Sequence, residues 1–335
     1  MSSGKPCRGP SCLLRPLPLP VTHLSFSPLR RLLLFPDHPQ ANPPNMSLPM
    51  TQPGIAVVTG ASSGIGRACS IALAHAEWTV VMSGRKEKEL EETYKRAKEG
   101  KQVKEMAWVV GDLGRREDVI KLFDFVREKY GRLDLLFNNA GRATAGCQLQ
   151  DTPYEDWESI LAINVTAVSP SILPSQPPKL AHLTHRFDPP QPFLCTQEAF
   201  KIMSTQSPKG GRIINNGSIS SYSPRPFSAP YTMTKHAVAG LTKSTALDGR
   251  EHDIACSQID IGNAESKMAS KDNAGKLQPF GEVRDEPVIP VEYVGATLVY
   301  MASLPLDVNI LNQVRFFLSR GFGRESLADG GFVVA

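Results

Sequence analysis

The glycine-rich stretch Thr59-Gly60-Ala61-Ser62-Ser63-Gly64-Ile65-Gly66 stands between a short apolar run and a segment with helical spacing. The apolar run at residues 55–58 predicts a buried strand, and the segment that follows the glycines predicts the start of an amphipathic helix. In this context Gly60 permits a tight turn, Gly64 lets the backbone approach a pyrophosphate, and Gly66 allows the helix to pack closely on the strand. The free N–H groups at the helix N-terminus would face the phosphates. We therefore expect a nucleotide-binding turn, the alternative being an ordinary turn.

From residue 53 onwards, runs with strand character alternate with segments of helical spacing. The predicted strands lie at residues 55–58, 78–83, 106–110, 133–137, 211–216 and 254–259. The predicted helices lie at residues 67–74, 86–99, 117–130, 152–167, 193–200, 229–247 and 290–303. This repeated order predicts an α/β protein with one folded domain, a doubly wound parallel sheet (Rossmann fold) with helices on both faces.

The composition excludes several classes of function. Apolar residues make up 41% of the chain, which is enough for a sizeable core. Residues 1–50 hold five basic residues against Asp37, which accounts for the whole net charge of +4 and leaves no sign of a nucleic-acid surface elsewhere. No stretch has the apolar length of a membrane span. The six cysteines include no Cys-x-x-Cys pair, which favours free thiols in a reducing compartment.

The N-terminal segment differs from the rest of the chain. Residues 1–50 contain 11 of the 28 prolines and show no helix or strand period. Proline removes a backbone donor and blocks regular structure, so this segment cannot build a packed core. We predict a disordered extension at residues 1–49 and a single folded domain at residues 50–335. We expect a cytoplasmic protein; the alternative is a mitochondrial one, if residues 1–45 act as a transit segment.

The pair Tyr231 and Lys235 places a phenol and an ammonium four residues apart, on one face of a predicted helix. A nearby cation stabilises a phenolate, so this pair predicts that Tyr231 acts as a general acid and base. The alternative is a cation–π or packing pair at the surface. Ser218 ends a predicted strand at the edge where ligands bind in such sheets, and its hydroxyl would hydrogen-bond a reacting oxygen. The alternative for Ser218 is a serine in a turn.

Together these motifs resemble the short-chain dehydrogenase/reductase family. The motifs that carry the resemblance are, in chain order, Thr59-x3-Ser63-Gly64-Ile65-Gly66, Asp112, Asn138-Asn139-Ala140-Gly141, Asn164, Ser218 and Tyr231-x3-Lys235. The match covers about residues 53–167 and 192–311, and the spacing between Ser218 and Tyr231 also suits the family.

The resemblance implies a catalytic tetrad. Tyr231 would be the acid and base, Ser218 would position and polarise the substrate oxygen, and Lys235 would tune Tyr231 and hold the nicotinamide ribose. Asn164 would anchor a water in a proton relay to Lys235. The hydride chemistry itself would belong to the nicotinamide.

The resemblance also implies a cofactor site. We expect no metal site, because His182 and His185, three residues apart in the insert, have no partner ligands. Asp112 would contact the adenine, and residues 139–141 would pack on the adenosine side. Gly262 follows Ile261 where the family commonly has Pro-Gly, and Ser266 would replace a threonine hydroxyl near the pyrophosphate. The expected cofactor-binding residues are Gly60, Ser62, Ser63, Gly64, Ile65, Gly66, Arg85, Asp112, Asn139, Ala140, Gly141, Tyr231, Lys235, Gly262 and Ser266.

The choice between NADP and NAD depends on the residues after the second predicted strand. NAD-preferring members place an acid there for the ribose 2′-hydroxyl, whereas a basic residue suits a 2′-phosphate. Gly84 holds the expected acid position and Arg85 follows it. An arginine forms a charge-assisted pair with phosphate, so we predict NADP(H) over NAD. The alternative is a solvated arginine that opens the next helix.

The chain departs from the family at residues 168–191, a proline-rich insert, and at residues 314–335, an atypical C-terminus. A long irregular loop inside a predicted helix is rare in a compact domain. The insert is a whole number of codons, and Val168-Ser169 and Gln191 can be encoded by splice-donor and splice-acceptor sequences. We therefore interpret it as a retained intron, the alternative being a loop particular to this lineage.

These features predict an NADP(H)-dependent oxidoreductase that interconverts a carbonyl and a secondary alcohol. The alternative is a cofactor-binding protein without turnover, inactivated by the insert and the altered C-terminus. We expect a small-molecule carbonyl or alcohol as substrate and neither nucleic acid nor membrane as partner. The resemblance adds the expectation of a homodimer or homotetramer.

Overall fold

The computed structural model describes residues 52–142, 146–164, 167–168, 187–188, 191–265, 275–278 and 281–315. The extension predicted at residues 1–49 and the predicted site residue Ser266 lie outside the described residues. Residues 316–335 of the atypical C-terminus lie outside them as well.

The strands follow the predicted order closely. They are β1 (Ile55–Thr59), β2 (Thr79–Gly84), β3 (Glu105–Val110), β4 (Leu135–Asn138), β5 (Ala167–Val168), β6 (Phe187–Asp188), β7 (Gly211–Asn216), β8 (Ile254–Ile261), β9 (Lys276–Leu277), β10 (Val283–Arg284) and β11 (Asn312–Arg315). Two of the short pairs, β5 with β6 and β9 with β10, form separate two-stranded ladders.

The other seven strands form one parallel sheet in the order β11-β8-β7-β4-β1-β2-β3. The chain moves outwards from β1 to β2 and β3, and then returns to the other side of β1 with β4. In sheets of this kind, ligands bind outside the carboxyl ends of the strands at the point where the order reverses. The predicted doubly wound parallel sheet is therefore confirmed, and its switch point lies between β1 and β4.

The helices cover both faces of this sheet. They are α1 (Gly64–His75), α2 (Glu87–Lys98), α3 (Arg116–Tyr130), α4 (Tyr154–Asn164), α5 (Gln191–Thr205), α6 (Ala229–Asp248) and α7 (Val291–Ser303). Within the described ranges, no helix combines the length and the apolar character that crossing a lipid bilayer requires.

The side chains of β1 divide between two apolar cores, one on each face of the sheet. Ala56 and Val58 belong to the core that also contains Leu73 of α1. Val57 belongs to the opposite core, which contains Phe123 of α3. Successive side chains of a strand point to opposite faces, so a sheet covered on both faces needs apolar residues without alternation. The unbroken apolar run of β1 meets that requirement.

The helix predicted over residues 152–167 is shorter in the structure. It is α4, which ends at Asn164, while Ala167–Val168 forms β5 and pairs antiparallel with Phe187–Asp188 of β6. The next helix, α5, begins at Gln191. The two ends of the insert therefore pair with each other as β5 and β6, and a separate helix lies on each side of this pair. That residues 168–191 interrupt a helix that would otherwise be continuous stays a prediction.

The seventh strand of the sheet is β11, at the edge beside β8. It begins at Asn312 and ends at Arg315. Val314 and Arg315 are exposed there. This strand therefore begins before residues 314–335, the C-terminus that departs from the family.

We expect deletion of residues 168–191 to raise the melting temperature. The pairing of Ala167 with Asp188 brings the two ends of the insert close together, so a short connection suffices. Loop closure costs entropy that grows with loop length, and removing most of this loop recovers about 2 kcal/mol. For a domain of this size that corresponds to about 4–8 °C, which differential scanning calorimetry measures directly.

The control for this deletion replaces residues 169–186 with a Gly/Ser segment of equal length. That variant keeps the length of the loop and should not raise the melting temperature. A deletion variant that melts below the wild-type protein would show that the insert contributes to stability, contrary to the expectation.

Candidate active site

The turn after β1 requires glycine at two of its positions. Gly60 has a φ of +66°, and a Cβ built on it would lie 2.9 Å from the Cα of Ala140. A Cβ on Gly66 would lie 2.2 Å from the carbonyl oxygen of Gly60. The first turn of α1 therefore rests directly on the backbone of the glycine turn. A side chain at either position would separate the helix from the strand.

Hydrogen bonds from Thr59 and Asn139 join the ends of β1 and β4. The Thr59 hydroxyl accepts the backbone N–H groups of Asn139 at 2.9 Å and Ala140 at 3.0 Å. The Asn139 side chain donates to the Thr59 carbonyl at 3.0 Å and accepts from the Asn216 side chain at 2.9 Å. Asn139 therefore connects three neighbouring strands at their carboxyl ends, and it fixes the turn at residues 139–141 against the glycine turn.

The N-terminus of α1 is open. Its N-cap residue, Ser63, has an extended backbone and makes no side-chain capping bond, and Gly64 follows with a φ of +52°. The first turn contains no acidic residue. The Arg67 guanidinium donates a hydrogen bond to the Ser62 carbonyl and so helps to fix the glycine turn. Ile65 packs against the apolar core. The first N–H groups of a helix have no partner within the helix, so this end of α1 presents free donors and the positive end of its dipole.

The ends of β2 and β3 carry the residues predicted for the adenine side. Gly84 is the last residue of β2, and the exposed Arg85 follows it. Arg85 makes no hydrogen bond or ion pair with any other residue that the structure describes. The Asp112 carboxylate accepts the N–H of Gly114 at 3.1 Å, and the N–H of Asp112 donates to Asp118 at 2.9 Å. The N–H of Gly111 donates to the Gly84 carbonyl at 3.1 Å, so the loop after β3 lies beside the end of β2.

Lys235 and Tyr231 lie on one face of α6. The Lys235 Nζ is 5.6 Å from the centroid of the Tyr231 ring and donates to the carbonyl oxygen of Asn216 at 2.8 Å. Lys235 is only 9% exposed, so the ammonium is held at this position by the end of β7. The structure therefore brings the phenol and the ammonium together at the carboxyl edge of the sheet.

Ser218 lies immediately beyond β7 and is 8% exposed. Its Oγ accepts the backbone N–H of Ser220 at 3.2 Å, and its own N–H donates to the Asp260 carboxylate at 2.7 Å. Among the described residues, no acceptor is hydrogen-bonded to the Ser218 hydroxyl hydrogen. That hydrogen is free to bond an incoming ligand.

Asn164 is the last residue of α4, and its side chain is buried. Its Oδ1 accepts the N–H of Arg142 at 2.9 Å, and its Nδ2 donates to the carbonyl of the same residue at 2.8 Å. The Nδ2 also donates to the Thr234 hydroxyl at 3.2 Å. Asn164 therefore ties the segment after β4 to α6, one residue from Lys235. A Cβ on Gly141 would come within 3.3 Å of its Oδ1.

Most of the predicted site residues meet at one edge of the sheet. Hydrogen bonds link the glycine turn, residues 139–141 and, through Asn216, Lys235, whereas Tyr231 lies against Lys235 and Ser218 follows the strand that ends at Asn216. Gly262 lies beyond β8, where its N–H donates to the Arg315 carbonyl at 2.8 Å. Ser266 is the one predicted site residue outside the described part of the chain.

Sequence reasoning missed a buried chain of polar side chains beneath this edge. The chain runs from Asn138 to Asn215 at 2.9 Å, on to Thr242 at 2.9 Å, to Gln258 at 3.0 Å and to Asp260 at 2.7 Å. Gln258 and Asp260 lie in β8, whose residues are all buried. The sequence signal that could have identified Gln258 and Asp260 is the presence of polar residues within an otherwise apolar strand, because buried polar groups need partners.

A second missed feature is the ion pair of Arg225 with Glu286, at 2.8 Å. The Glu286 side chain is 4% exposed and also accepts a hydrogen bond from Asn263. Arg225 lies between Ser218 and Tyr231, whereas Asn263 lies beyond β8. The pair therefore fastens the segment after β8 to the loop that precedes α6.

Comparison with known proteins agrees with this arrangement. The family model for short chain dehydrogenases matches residues 54–171 and 191–277. A 3beta-hydroxysteroid dehydrogenase from Mediterraneibacter gnavus is 29% identical over 240 residues, which cover 72% of this chain and 76% of that protein. The chain belongs to the short-chain dehydrogenase family, and it is an NAD(P)-dependent oxidoreductase.

Two solved structures share the fold. Acetoin dehydrogenase YohF from Salmonella typhimurium is 26% identical, with a TM-score of 0.60, covering 78% of this chain and 94% of that one. A variant of actinorhodin polyketide ketoreductase solved with NADPH is 24% identical, with a TM-score of 0.62, covering 79% and 96%. The three similar proteins are named for three different substrates, so their names do not indicate the substrate of this chain.

Proposed function

We propose that this protein is an NADP(H)-dependent oxidoreductase that interconverts a carbonyl and a secondary alcohol, with Tyr231 as the acid and base. The observation that carries the proposal is the position of Lys235, which is fixed by Asn216 beside the Tyr231 ring. A cation beside a tyrosine favours the phenolate that forms when the tyrosine gives up its proton. The free hydroxyl hydrogen of Ser218, two residues beyond Asn216, supports the same reaction.

The glycine turn fits a dinucleotide. The missing side chains at Gly60 and Gly66 allow a close approach of the backbone, and α1 begins without a capping side chain or an acid. An anion bound there would accept the free N–H groups and would lie at the positive end of the helix dipole. We assign Ser62, Ser63, Gly64 and Ile65 to the pyrophosphate on this basis.

The adenosine end supports NADP(H) over NAD. Arg85 is exposed, and the preceding Gly84 offers no carboxylate to repel a 2′-phosphate. A guanidinium and a phosphate form charge-assisted hydrogen bonds that are stronger than neutral ones. Asp112, at the end of the next strand, would contact the adenine, and Asn139, Ala140 and Gly141 would line the same side. The ketoreductase solved with NADPH indicates that the shared fold accommodates this dinucleotide.

In carbonyl reduction, Tyr231 would give its phenolic proton to the substrate oxygen while the Ser218 hydroxyl donates a hydrogen bond to the same oxygen. The nicotinamide, when bound, supplies the hydride. Lys235 would stabilise the phenolate that Tyr231 becomes, and would bind the nicotinamide ribose. Both hydrogens of the Asn164 side chain are already used, so a relay water would bind the carbonyl oxygen at the end of α4.

The proposal is tested first by NADPH oxidation with a panel of carbonyls, namely diacetyl, a 3-ketosteroid and an acetoacetyl thioester. A direct NADPH titration accompanies the assay. Turnover with any member supports the oxidoreductase. NADPH binding without turnover on any of them would favour the cofactor-binding protein without activity.

Tyr231→Phe should lower kcat by about a hundredfold to ten-thousandfold, because the variant keeps the ring and loses the transferable proton. NADPH affinity should stay within about twofold of wild type. The matched control is Tyr300→Phe, which removes an exposed phenol from α7 and should leave kcat unchanged. Steady-state NADPH oxidation measures both variants. A Tyr231→Phe protein with wild-type kcat would refute the assignment.

Arg85→Ala should weaken NADPH binding about tenfold or more, because a hydrogen bond to a charged group contributes about 1.5–3 kcal/mol. NADH affinity should hardly change, since NADH has no 2′-phosphate. Lys101→Ala removes the same charge from the exposed turn beyond the far end of α2 and should alter neither affinity. Fluorescence titration with both dinucleotides makes the comparison. Equal losses for NADPH and NADH would remove Arg85 from the 2′-phosphate site.

A further inference from the structure

We propose that Asp260 is a positioning residue that holds Ser218 in place for the reaction. The proposal deepens the function proposed above and rests on it. Asp260 lies in β8, adjacent to the strand that carries Ser218, and its side chain is completely buried. It belongs to neither the glycine turn nor the Tyr231–Lys235 pair.

The Asp260 carboxylate accepts hydrogen bonds from residues of several structural elements. Its Oδ1 accepts the Ser218 N–H at 2.7 Å, the Gln258 Nε2 at 2.7 Å and the Ser221 hydroxyl at 3.2 Å. Its Oδ2 accepts the Asn312 Nδ2 at 2.6 Å. One side chain therefore joins the loop after β7 to β8 itself and to the edge strand β11. A carboxylate can do this because both of its oxygens are acceptors with about four lone-pair sites.

No lysine or arginine among the described residues forms an ion pair with Asp260. A buried charge is expensive unless it is fully hydrogen-bonded, and here neutral donors alone stabilise it. Burial and the adjacent Asp260 raise the pKa of the Tyr222 phenol to about 12, and Asn312, which binds Asp260, also donates to the oxygen of this phenol. Two of these donors, the Ser218 N–H and the Ser221 hydroxyl, belong to the loop at residues 218–222. The free-energy cost of burying the carboxylate is therefore offset only while this loop keeps its position.

Gly217 leaves the space in which the Asp260 carboxylate lies. A Cβ built on Gly217 would be 2.0 Å from the Asp260 Oδ1 and 2.6 Å from the Gln258 Nε2. The two positions therefore form a matched pair, a carboxylate on β8 and a missing side chain just beyond the end of β7. This gives a second way to disturb the contact, because Gly217→Ala displaces the carboxylate without removing it.

The consequence for the reaction lies in the Ser218 hydroxyl. Asp260 binds the Ser218 N–H, and the Ser220 N–H is bonded to the Oγ from the same short turn. With both bonds in place, the Oγ occupies one position, and its hydrogen stays available for a substrate oxygen. Misplacement of such a group by about 1 Å can cost on the order of a hundredfold in rate.

The kinetic test is a double-mutant cycle between Asp260→Asn and Ser218→Ala, with kcat measured on the carbonyl from the panel that reacts fastest. Asparagine has one acceptor oxygen, and its NH2 group would face donors. Asp260→Asn should lower kcat about tenfold to a hundredfold in the wild-type background. In the Ser218→Ala background the further loss should be under about threefold, because Asp260 acts through Ser218. Gly217→Ala should reproduce the loss in kcat.

The matched control is Asp253→Asn, at the turn that precedes β8. The Asp253 side chain is 54% exposed and forms a surface ion pair with Lys209, which contributes little to stability. Its backbone φ of +55° is one that asparagine adopts readily. This variant should leave kcat unchanged, and NADPH affinity should stay within about twofold of wild type in all the variants that retain Ser218.

Amide hydrogen exchange tests the contact without turnover. Peptides covering residues 217–222 should exchange faster in Asp260→Asn and in Gly217→Ala than in wild type, and not in Asp253→Asn. Unchanged exchange in the first two variants, or an equal loss of kcat in both backgrounds of the cycle, would overturn the positioning role. A wild-type protein that turns over no carbonyl would refute the proposed function, while the exchange experiment would still decide whether Asp260 holds Ser218.

Discussion

The arrangement of the site depends on one hydrogen-bonded junction, between Thr59 at the end of β1 and Asn139 after β4. The Thr59 hydroxyl accepts two successive N–H groups, and the Asn139 side chain returns a bond to the Thr59 carbonyl. Because these strands are neighbours only at the switch point of the sheet, the junction exists only when the parallel sheet has formed. This junction places the glycine turn and residues 139–141 at one edge of the sheet. Asn139 also binds Asn216, whose carbonyl oxygen accepts a hydrogen bond from Lys235, so Lys235 is held at the same edge.

Beneath that edge, buried polar side chains replace part of the apolar core. Each such group costs about 1–3 kcal/mol if it is left unpaired, so the bonds from Asn138 to Asp260 constrain the strands that carry them. Asn138 Oδ1 has no hydrogen-bond partner among the described residues. Directional hydrogen bonds, in addition to apolar packing, therefore hold the strands beneath the candidate site. This makes the loop at residues 218–222 dependent on a side chain that does not touch the reacting groups.

The fold and most of the candidate site could be predicted because their signals are local. The strand before Gly60, the glycine spacing and the four-residue step from Tyr231 to Lys235 can each be recognised within one window of sequence. The hydrogen-bond partners of Asp260 could not be recognised in this way, because they come from the loop after β7, from β8 and from β11. The end of α4 was misplaced because helical spacing continues beyond Asn164, whereas the chain there turns into the paired ends of the insert. Long-range pairing, rather than propensity, decided both cases.

The central claim is that the glycine turn holds the dinucleotide, and NADPH titration of three proteins tests it most directly. Wild type should bind saturably, and Gly66→Ala should bind at least about tenfold more weakly, a loss of about 1.4 kcal/mol, because its Cβ would lie 2.2 Å from the Gly60 oxygen. Gly240→Ala should bind like wild type, since a Cβ there meets no atom of the described residues within 4 Å. Equal NADPH affinity in all three proteins, or no binding by wild type, would contradict the account.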